Sequence, residues 1–234
     1  MPSIPTYGPT RWWWIRHAPV PDGGCVYGQR DLDCDCTDAE IFAILARELP
    51  RDAVWVTSNL ARTRQTAAAI LAAAKGRYGE VAPLALAEFA EQHLGDWQGR
   101  ERKSFYAERK VGTHTLWFAP AGERPPGTGG ESFVDLLERV APAIERMNET
   151  HRGKDIVAVT HGGTIRAALA LALGLDPQSA LSFTVENCSL TRLDYLSPAD
   201  GAPLWRVVAV NHRPWSRTPA GDHLGHNPIA IDKA

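Results

Sequence analysis

The chain has 234 residues, and only four of them are cysteine and two methionine. No apolar run approaches the roughly 18 residues that a membrane span needs. Neither charge sign is in excess: 25 lysines and arginines stand against 27 acids, so the balance points to neither a nucleic acid nor a membrane surface as partner. The stretch from Met1 to Arg11 is polar and proline-containing and lacks a signal-peptide core. These absences together lead to the expectation of a cytoplasmic protein. Cys34 and Cys36 are too close for an ordinary bridge, and no second pair stands at zinc-finger spacing. Reduced thiols are therefore expected. The run from Asp31 to Asp38 superficially resembles a calcium loop, but Cys36 stands where that loop needs glycine and Phe42 where it needs glutamate. No metal and no cofactor is expected.

What is present is a chain long enough for one domain with its own core. Trp12-Trp13-Trp14-Ile15 reads as a strand buried on both faces, stopped by Ala18-Pro19 because proline has no amide hydrogen for the ladder. Ala53 to Thr57 and Ile156 to Thr160 read as two more buried strands, and a third lies around Val81 to Leu86. Thr37 with Glu40 forms a candidate capping box for a helix carrying Ile41, Phe42, Leu45 and Leu49. Ser58-Asn59 start a helix over Leu60 to Ala74, and Glu131-Ser132 lead into one with Phe133, Leu136, Val140 and Ile144 on a face. A helix from Thr164 to Leu173 follows His161-Gly162-Gly163, with Gly174 and Pro177 closing it. Weaker strands lie at Ser189 to Tyr195 and Trp205 to Val210. The alternation predicts an α/β fold: a three-layer, doubly wound, mostly parallel sheet flanked by helices.

Between about 88 and 130 the pattern breaks into aromatics, charges and glycines, with a short helix expected over Arg100 to Lys110. This segment reads as a helical and loop insertion that serves as a lid, within a single domain spanning 1–234. Its apolar aromatics are also candidates for a homodimer contact. From about 214 to 234 the chain is polar and expected to be loose; His223 and His226 there read as solvated.

Two strands end in chemistry, one on Arg16-His17 and the other on His161-Gly162-Gly163. Carboxyl ends of strands are where open α/β sheets bind ligands. The first turn of the helix after Asn59 carries Arg62 to the same edge, and Arg64 is the neighbouring alternative. So many cationic groups at one point repel each other unless an anion sits among them. A phosphoryl group fits, because arginine forks match its oxygens and Gly162-Gly163 let backbone amides approach it at a helix start.

With Arg16-His17-Ala18, Ser58-Asn59-Leu60-Ala61-Arg62 and Thr66-Ala67 in place, further pieces fall in order. They are Glu91 ahead of Leu94-Gly95-Asp96-Trp97-Gln98-Gly99, then Gly129-Gly130-Glu131-Ser132, then Val159-Thr160-His161-Gly162-Gly163. In this order the chain resembles the histidine phosphatase superfamily, the phosphoglycerate-mutase-like group, over roughly Arg11 to Leu193. The resemblance implies a metal-independent phosphomonoesterase acting on a small phosphorylated metabolite. His17 would carry the phosphoryl group as phosphohistidine. Arg16, Arg62, His161 and Gly162 would hold its oxygens, and His161 belongs with the catalytic set. Glu91 would move the proton, with Glu88 three residues earlier as the alternative acid. Asn187 matches a family pattern near a late strand and equally suits a turn.

The chain departs from many members in Ala18-Pro19-Val20, where they have Gly-Glu-Thr. Its Tyr27-Gly28-Gln29 resembles more the subgroup of α-ribazole phosphatase. Two other functions stay open: a phosphoglycerate-type mutase, for which Arg100, Arg102, Lys103, Arg109 and Lys110 would supply a second anion site, and a non-catalytic module that binds a phospho-ligand.

Overall fold

A computed structural model describes residues 8–112, 116–197 and 202–215. Six strands form one sheet in the order β3-β2-β4-β1-β5-β6. They are β1 (Thr10–Arg16), β2 (Ala53–Thr57), β3 (Leu84–Ala85), β4 (Asp155–Thr160), β5 (Leu190–Leu196) and β6 (Leu204–His212). The strands β1 to β4 run parallel, and β5 pairs antiparallel with β1 and with β6. The six helices are α1 (Ala39–Glu48), α2 (Ala61–Ala73), α3 (Arg102–Glu108), α4 (Phe133–Thr150), α5 (Gly162–Leu173) and the short α6 (Pro177–Ala180).

Strand alternation sorts the core into two apolar layers. Trp12 and Trp14 of β1, with Ile156 and Ala158 of β4, face α4 and α5. Ile15 of β1, with Val157 and Val159 of β4, faces α1 and α2. The expected three-layer α/β fold with a mostly parallel sheet is borne out. The Trp12 and Trp14 indoles stack 4.6 Å apart, and Phe89 meets both edge-on. Trp12 Nε1 donates to Asn148 Oδ1 of α4 at 2.8 Å, which satisfies the polar atom of a fully buried ring.

Several boundaries differ from the expectations, each for a local reason. The N-cap of α1 is Asp38, whose carboxylate accepts from Ile41 N, and no Thr37–Glu40 capping box forms. Thr37 instead bonds Asp35. Helix α2 begins at Ala61, not Leu60, and its first amide is capped from outside by Asp31 Oδ1 at 2.6 Å. The acids of the calcium-like run are thus engaged in caps and turns. Only Leu84–Ala85 of the expected third strand pairs with β2, because Pro83 has no amide to extend the ladder. Helix α5 starts two residues early, at Gly162, directly on the end of β4. Helix α4 opens with the capping box Ser132–Asp135.

Within 88–130, the 3₁₀ turn Gly95–Trp97 and α3 help pack Leu94, Trp97, Phe105, Phe118 and Ala119 against Val26 as a separate small core. The tail beyond residue 215, with His223 and His226, lies outside the described residues. No helix among the described residues is long and apolar enough to cross a membrane.

Replacing Trp12 with alanine removes a fully buried ring and leaves Asn148 Oδ1 without its donor. A loss of about 3–5 kcal/mol in unfolding free energy is expected. Urea denaturation of Trp12→Ala against wild type measures it, and a loss under 1 kcal/mol would contradict the packing described.

Candidate active site

Strand register builds the site. Arg16 of β1 lies opposite Thr160 of β4, so the next residues, His17 and His161, leave adjacent parallel strands side by side. Their ring centroids are 5.2 Å apart. On the other flank of β4, Thr57 lies opposite Val159, so Ser58 follows level with Thr160, within reach of the His161 ring.

The His17 ring is 1% exposed, and its Nδ1 lies 2.7 Å from the carbonyl oxygen of Ala18. A carbonyl only accepts, so Nδ1 carries the proton and Nε2 keeps its lone pair. Burial is the main force holding the imidazole neutral, with the charges of Arg62 and then Arg16 adding to it, so its pKa falls well below 6.5. The backbone around it is fixed from three sides. His17 N donates to Thr160 O, Asn187 Nδ2 donates to His17 O at 2.7 Å, and Ala18 N donates to Thr66 Oγ1 at 2.9 Å. Asn187 therefore positions the His17 peptide.

The proton of His161 is on the other nitrogen. Arg62 Nε donates to His161 Nδ1 at 3.3 Å, so Nε2 carries the hydrogen and donates to Ser58 Oγ at 2.7 Å. A relay continues through Ser58 and Thr63 hydroxyls to Leu60 O. Burial first, then Arg62, His17 and Arg16, lower this imidazole well below 6.5 as well.

Arg62 is fully buried. Its Nη1 donates to Arg30 O at 2.8 Å and its Nη2 to Gly28 O at 2.7 Å. Three of its five N–H groups are thereby used, and two remain for a ligand. Gly28 sits at φ +48°, and a Cβ there would lie 2.5 Å from Gln98 Oε1, so this carbonyl can reach Arg62 only from a glycine. Arg16 donates from Nη1 to Val185 O at 2.7 Å, while its buried Nε has no partner among the described residues. Arg64, the alternative to Arg62, is exposed.

Glu91 reaches the same point through α5. Both its carboxylate oxygens accept from Gly163 N, at 3.1 and 3.3 Å. A Cβ on Gly163 would lie 2.2 Å from Glu91 Oε1 and 2.8 Å from Leu136 Cδ2, so a side chain there would displace the carboxylate. The acceptor at the start of α5 is thus the protein's own Glu91 carboxyl group. Glu88, the other candidate acid, points away and pairs with Arg146 of α4 at 2.7 Å.

The sequence reading missed several residues that shape this site. Gln29 Nε2 donates to Glu91 O at 2.8 Å, and Arg139 donates to Glu88 O and Glu91 O, while pairing with Glu131. Glu131 belonged to a quoted motif, yet its work on the Glu91 segment could not be read from order alone. Arg166, also missed, is 9% exposed and projects from α5 toward Gly162. Among the described residues no cluster of three or more histidine, cysteine or acidic side chains could hold a metal ion.

Three outcomes follow. Nitrogen-15 spectra at neutral pH are expected to show opposite tautomers, Nδ1–H at His17 and Nε2–H at His161, neither titrating near 6.5; a shared tautomer would contradict the geometry. Both native pKa values lie below the unfolded 6.5, so the unfolded chain binds more protons there, and stability falls as pH drops below 6.5. Gly163→Ala is expected to keep the fold and lower turnover of a phosphomonoester roughly 100-fold, the low end of what a positioned proton-transfer group contributes. Circular dichroism and kcat measured together check this.

Comparison with known proteins agrees with the geometry. Residues 13–210 match the profile of the histidine phosphatase superfamily (branch 1). A glucosyl-3-phosphoglycerate phosphatase of Mycolicibacterium vanbaalenii is 31% identical over 204 residues, 81% of this chain and 86% of that protein. A Yersinia enterocolitica protein named "Probable phosphoglycerate mutase GpmB" is 30% identical over 169 residues, 72% of this chain and 75% of that one. A solved mycobacterial glucosyl-3-phosphoglycerate phosphatase, with vanadate bound, superposes with a TM-score of 0.70 at 27% identity, covering 86% of this chain and 98% of that chain. The relatives thus include both phosphatases and mutase-like proteins, as the motif order led one to expect. This chain belongs to the histidine phosphatase superfamily.

Proposed function

We propose that the protein is a phosphomonoesterase that needs no metal and works through a phosphohistidine on His17 Nε2. One observation carries this reading: the hydrogen bond from His17 Nδ1 to Ala18 O leaves a neutral ring with its lone pair on Nε2, beside Arg16 and Arg62.

In the first half-reaction the Nε2 lone pair forms a bond to phosphorus as the ester P–O bond breaks. Negative charge is spread over three equatorial oxygens, where the remaining N–H groups of Arg62 and the unpartnered Nε of Arg16 stabilise it. Glu91 gives its proton to the leaving oxygen. In the second half-reaction water attacks phosphorus, Glu91 takes the proton back, and the N–P bond returns its electrons to Nε2. Phosphate then leaves. His161 supports the reading less directly. Its proton points at Ser58, so donating to a phosphoryl oxygen requires Nδ1 to take up a proton once the dianion has arrived and offset Arg62. The substrate of this reading is a small phosphorylated metabolite, since the Tyr27 ring stands 6.4 Å from that of His17 and narrows the site.

A mutase is the second reading, favoured by the Yersinia relative. It differs in the fate of the phosphoryl group, which must return to a second hydroxyl before water reaches it.

The test is phosphate release from an aryl phosphate, phosphoglycerates, sugar phosphates, nucleotides and ribazole phosphate, with and without chelator. Release that resists chelator and falls at least 1,000-fold in His17→Ala is expected, along with an acid-labile phosphoenzyme in wild type. Full activity in His17→Ala would overturn the reading. Phosphoglycerate interconversion faster than release would favour the mutase.

A further inference from the structure

Two thiols stand behind the site and take no part in the phosphoryl chemistry above. Cys34 Sγ and Cys36 Sγ lie 3.5 Å apart, and both side chains are half-buried rather than sealed in the core. They belong to residues 31–38, which form neither helix nor strand, so no ladder resists a small shift there. A disulfide bond is about 2.0 Å long, so the two sulfurs need to approach by only about 1.5 Å. Bridging residues two apart closes a tight ring. Such a bond is no structural staple, and strained, accessible disulfides are the ones that cellular thiols reduce readily.

Cys34 touches the pieces of chain that support His17. Its Sγ lies 3.3 Å from Arg62 O, and 3.5 Å from both Gln65 Oε1 and Thr66 Oγ1. Its N–H donates to Gln65 Oε1 at 2.9 Å, and the N–H of Asp35 donates to Pro19 O at 2.7 Å. Thr66 Oγ1 accepts from Ala18 N, and Ala18 O accepts from His17 Nδ1. One hydroxyl and one residue thus separate the Cys34 sulfur from the imidazole. A thiol has one hydrogen to donate, and a disulfide sulfur has none. Bridging therefore removes the hydrogen for which Arg62 O and Gln65 Oε1 are the acceptors, and it draws the sulfur toward Cys36.

We propose that Cys34 and Cys36 are a redox modification site: a low-molecular-weight disulfide such as oxidised glutathione converts them to an intrachain bridge that loosens the support of His17 and lowers turnover. The bridge itself does not rest on the phosphatase reading, whereas its effect on turnover does. In the first step the Cys34 thiolate bonds to one sulfur of the small disulfide, whose S–S bond breaks and expels a thiolate. In the second, Cys36 loses its proton and attacks the Cys34 sulfur, expelling the other thiolate. Two protein thiols are oxidised, one small disulfide is reduced to two thiols, and the two protons released go to these. Burial first, then Cys34, pushes the Cys36 thiol up to about 12, so Cys34 makes the first attack. Once Cys34 carries the mixed disulfide, its own part in raising Cys36 is gone. Cys188, the third thiol of this apolar layer, is 2% exposed and closed to the oxidant.

The test equilibrates the full chain in glutathione buffers of rising oxidised fraction, quenches with acid, alkylates the free thiols and digests with trypsin. The peptide 31–47 holds Cys34 and Cys36 and no other cysteine. As oxidised glutathione rises, this peptide is expected to escape alkylation and lose two hydrogens. Phosphate release from an aryl phosphate should fall in step by roughly fivefold, the fold-change of one lost neutral hydrogen bond. A reduced dithiol should restore both. In Cys36→Ser the exchange is expected to stop at a glutathione adduct on the same peptide, and in Cys34→Ser neither bridge nor adduct should form there. A peptide alkylated at both cysteines in every buffer, a cross-link to the peptide of Cys188, or a bridge that leaves phosphate release unchanged overturns the proposal. Should the reduced protein hydrolyse no ester, the phosphatase reading has failed, and the calorimetric affinity for inorganic phosphate decides the coupling. Weaker binding by the bridged protein supports it, and equal affinities refute it.

Discussion

Buried positive charge with too little buried negative charge is the constraint on which this structure turns. Arg62 and Arg166 lie almost wholly inside, Arg16 has a buried Nε, and Glu91 is the carboxylate brought among them. Such a cluster survives in the free protein because backbone carbonyls take up part of the donor capacity. Gly28, Arg30, Val185 and Phe183 each accept from one of the three guanidiniums. The two histidines adapt in the other direction by staying neutral. The donors left over are already aimed and already stripped of water, which is the condition for electrostatic stabilisation without reorganisation at the moment of reaction. The unpaired charge is a local cost to stability that a bound anion relieves.

That constraint explains why the sheet must be built as it is. Parallel pairing of β1 with β4 brings His17 and His161 to one level, and pairing of β4 with β2 brings Ser58 within 2.7 Å of the His161 ring. A slip of one residue would invert Trp12 and Trp14 against Ile15, exchanging the apolar layers, so register is held by the same aromatics that form the core. The large indoles of β1 thus serve the site from behind: their packing fixes the height at which the strand releases its arginine and histidine.

How much of this was legible in the sequence varies with the range of the interactions. Strands such as Trp12 to Ile15 and Ile156 to Thr160 declare themselves by composition, and Arg16, His17, Arg62 and His161 by their place at strand and helix ends. Glu91 was separable from Glu88 only through motif order, whereas in the fold the distinction is plain, since Glu88 turns out to Arg146. The cap of α2 was illegible because Asp31 supplies it from 30 residues upstream, and local propensity cannot see such an acceptor. The same holds for Gln29, Arg139 and Glu131, whose work on the Glu91 backbone exists only once three separate segments meet. Arg166 looked like one polar position in an apolar helix. Only the fold shows that its guanidinium meets the Phe183 carbonyl and the Trp117 ring.

The two histidines show most clearly what the fold adds. In their surroundings they are alike: each follows a buried parallel strand, each feels Arg62 and Arg16, and each is pushed to the neutral form. Only the partner of Nδ1 separates them. At His17 that partner is a carbonyl, which must accept, so the lone pair is left on Nε2. At His161 it is Arg62 Nε–H, which must donate, so Nδ1 is occupied and Nε2 is committed to Ser58. One ring therefore has a free nucleophilic nitrogen and the other has none. The proposal that His17 attacks rests on the direction of one hydrogen bond, and the arginine that donates to His161 also lowers the pKa of His17, after burial. Arg62 thus adds to burial in keeping the first histidine neutral, and it occupies Nδ1 of the second.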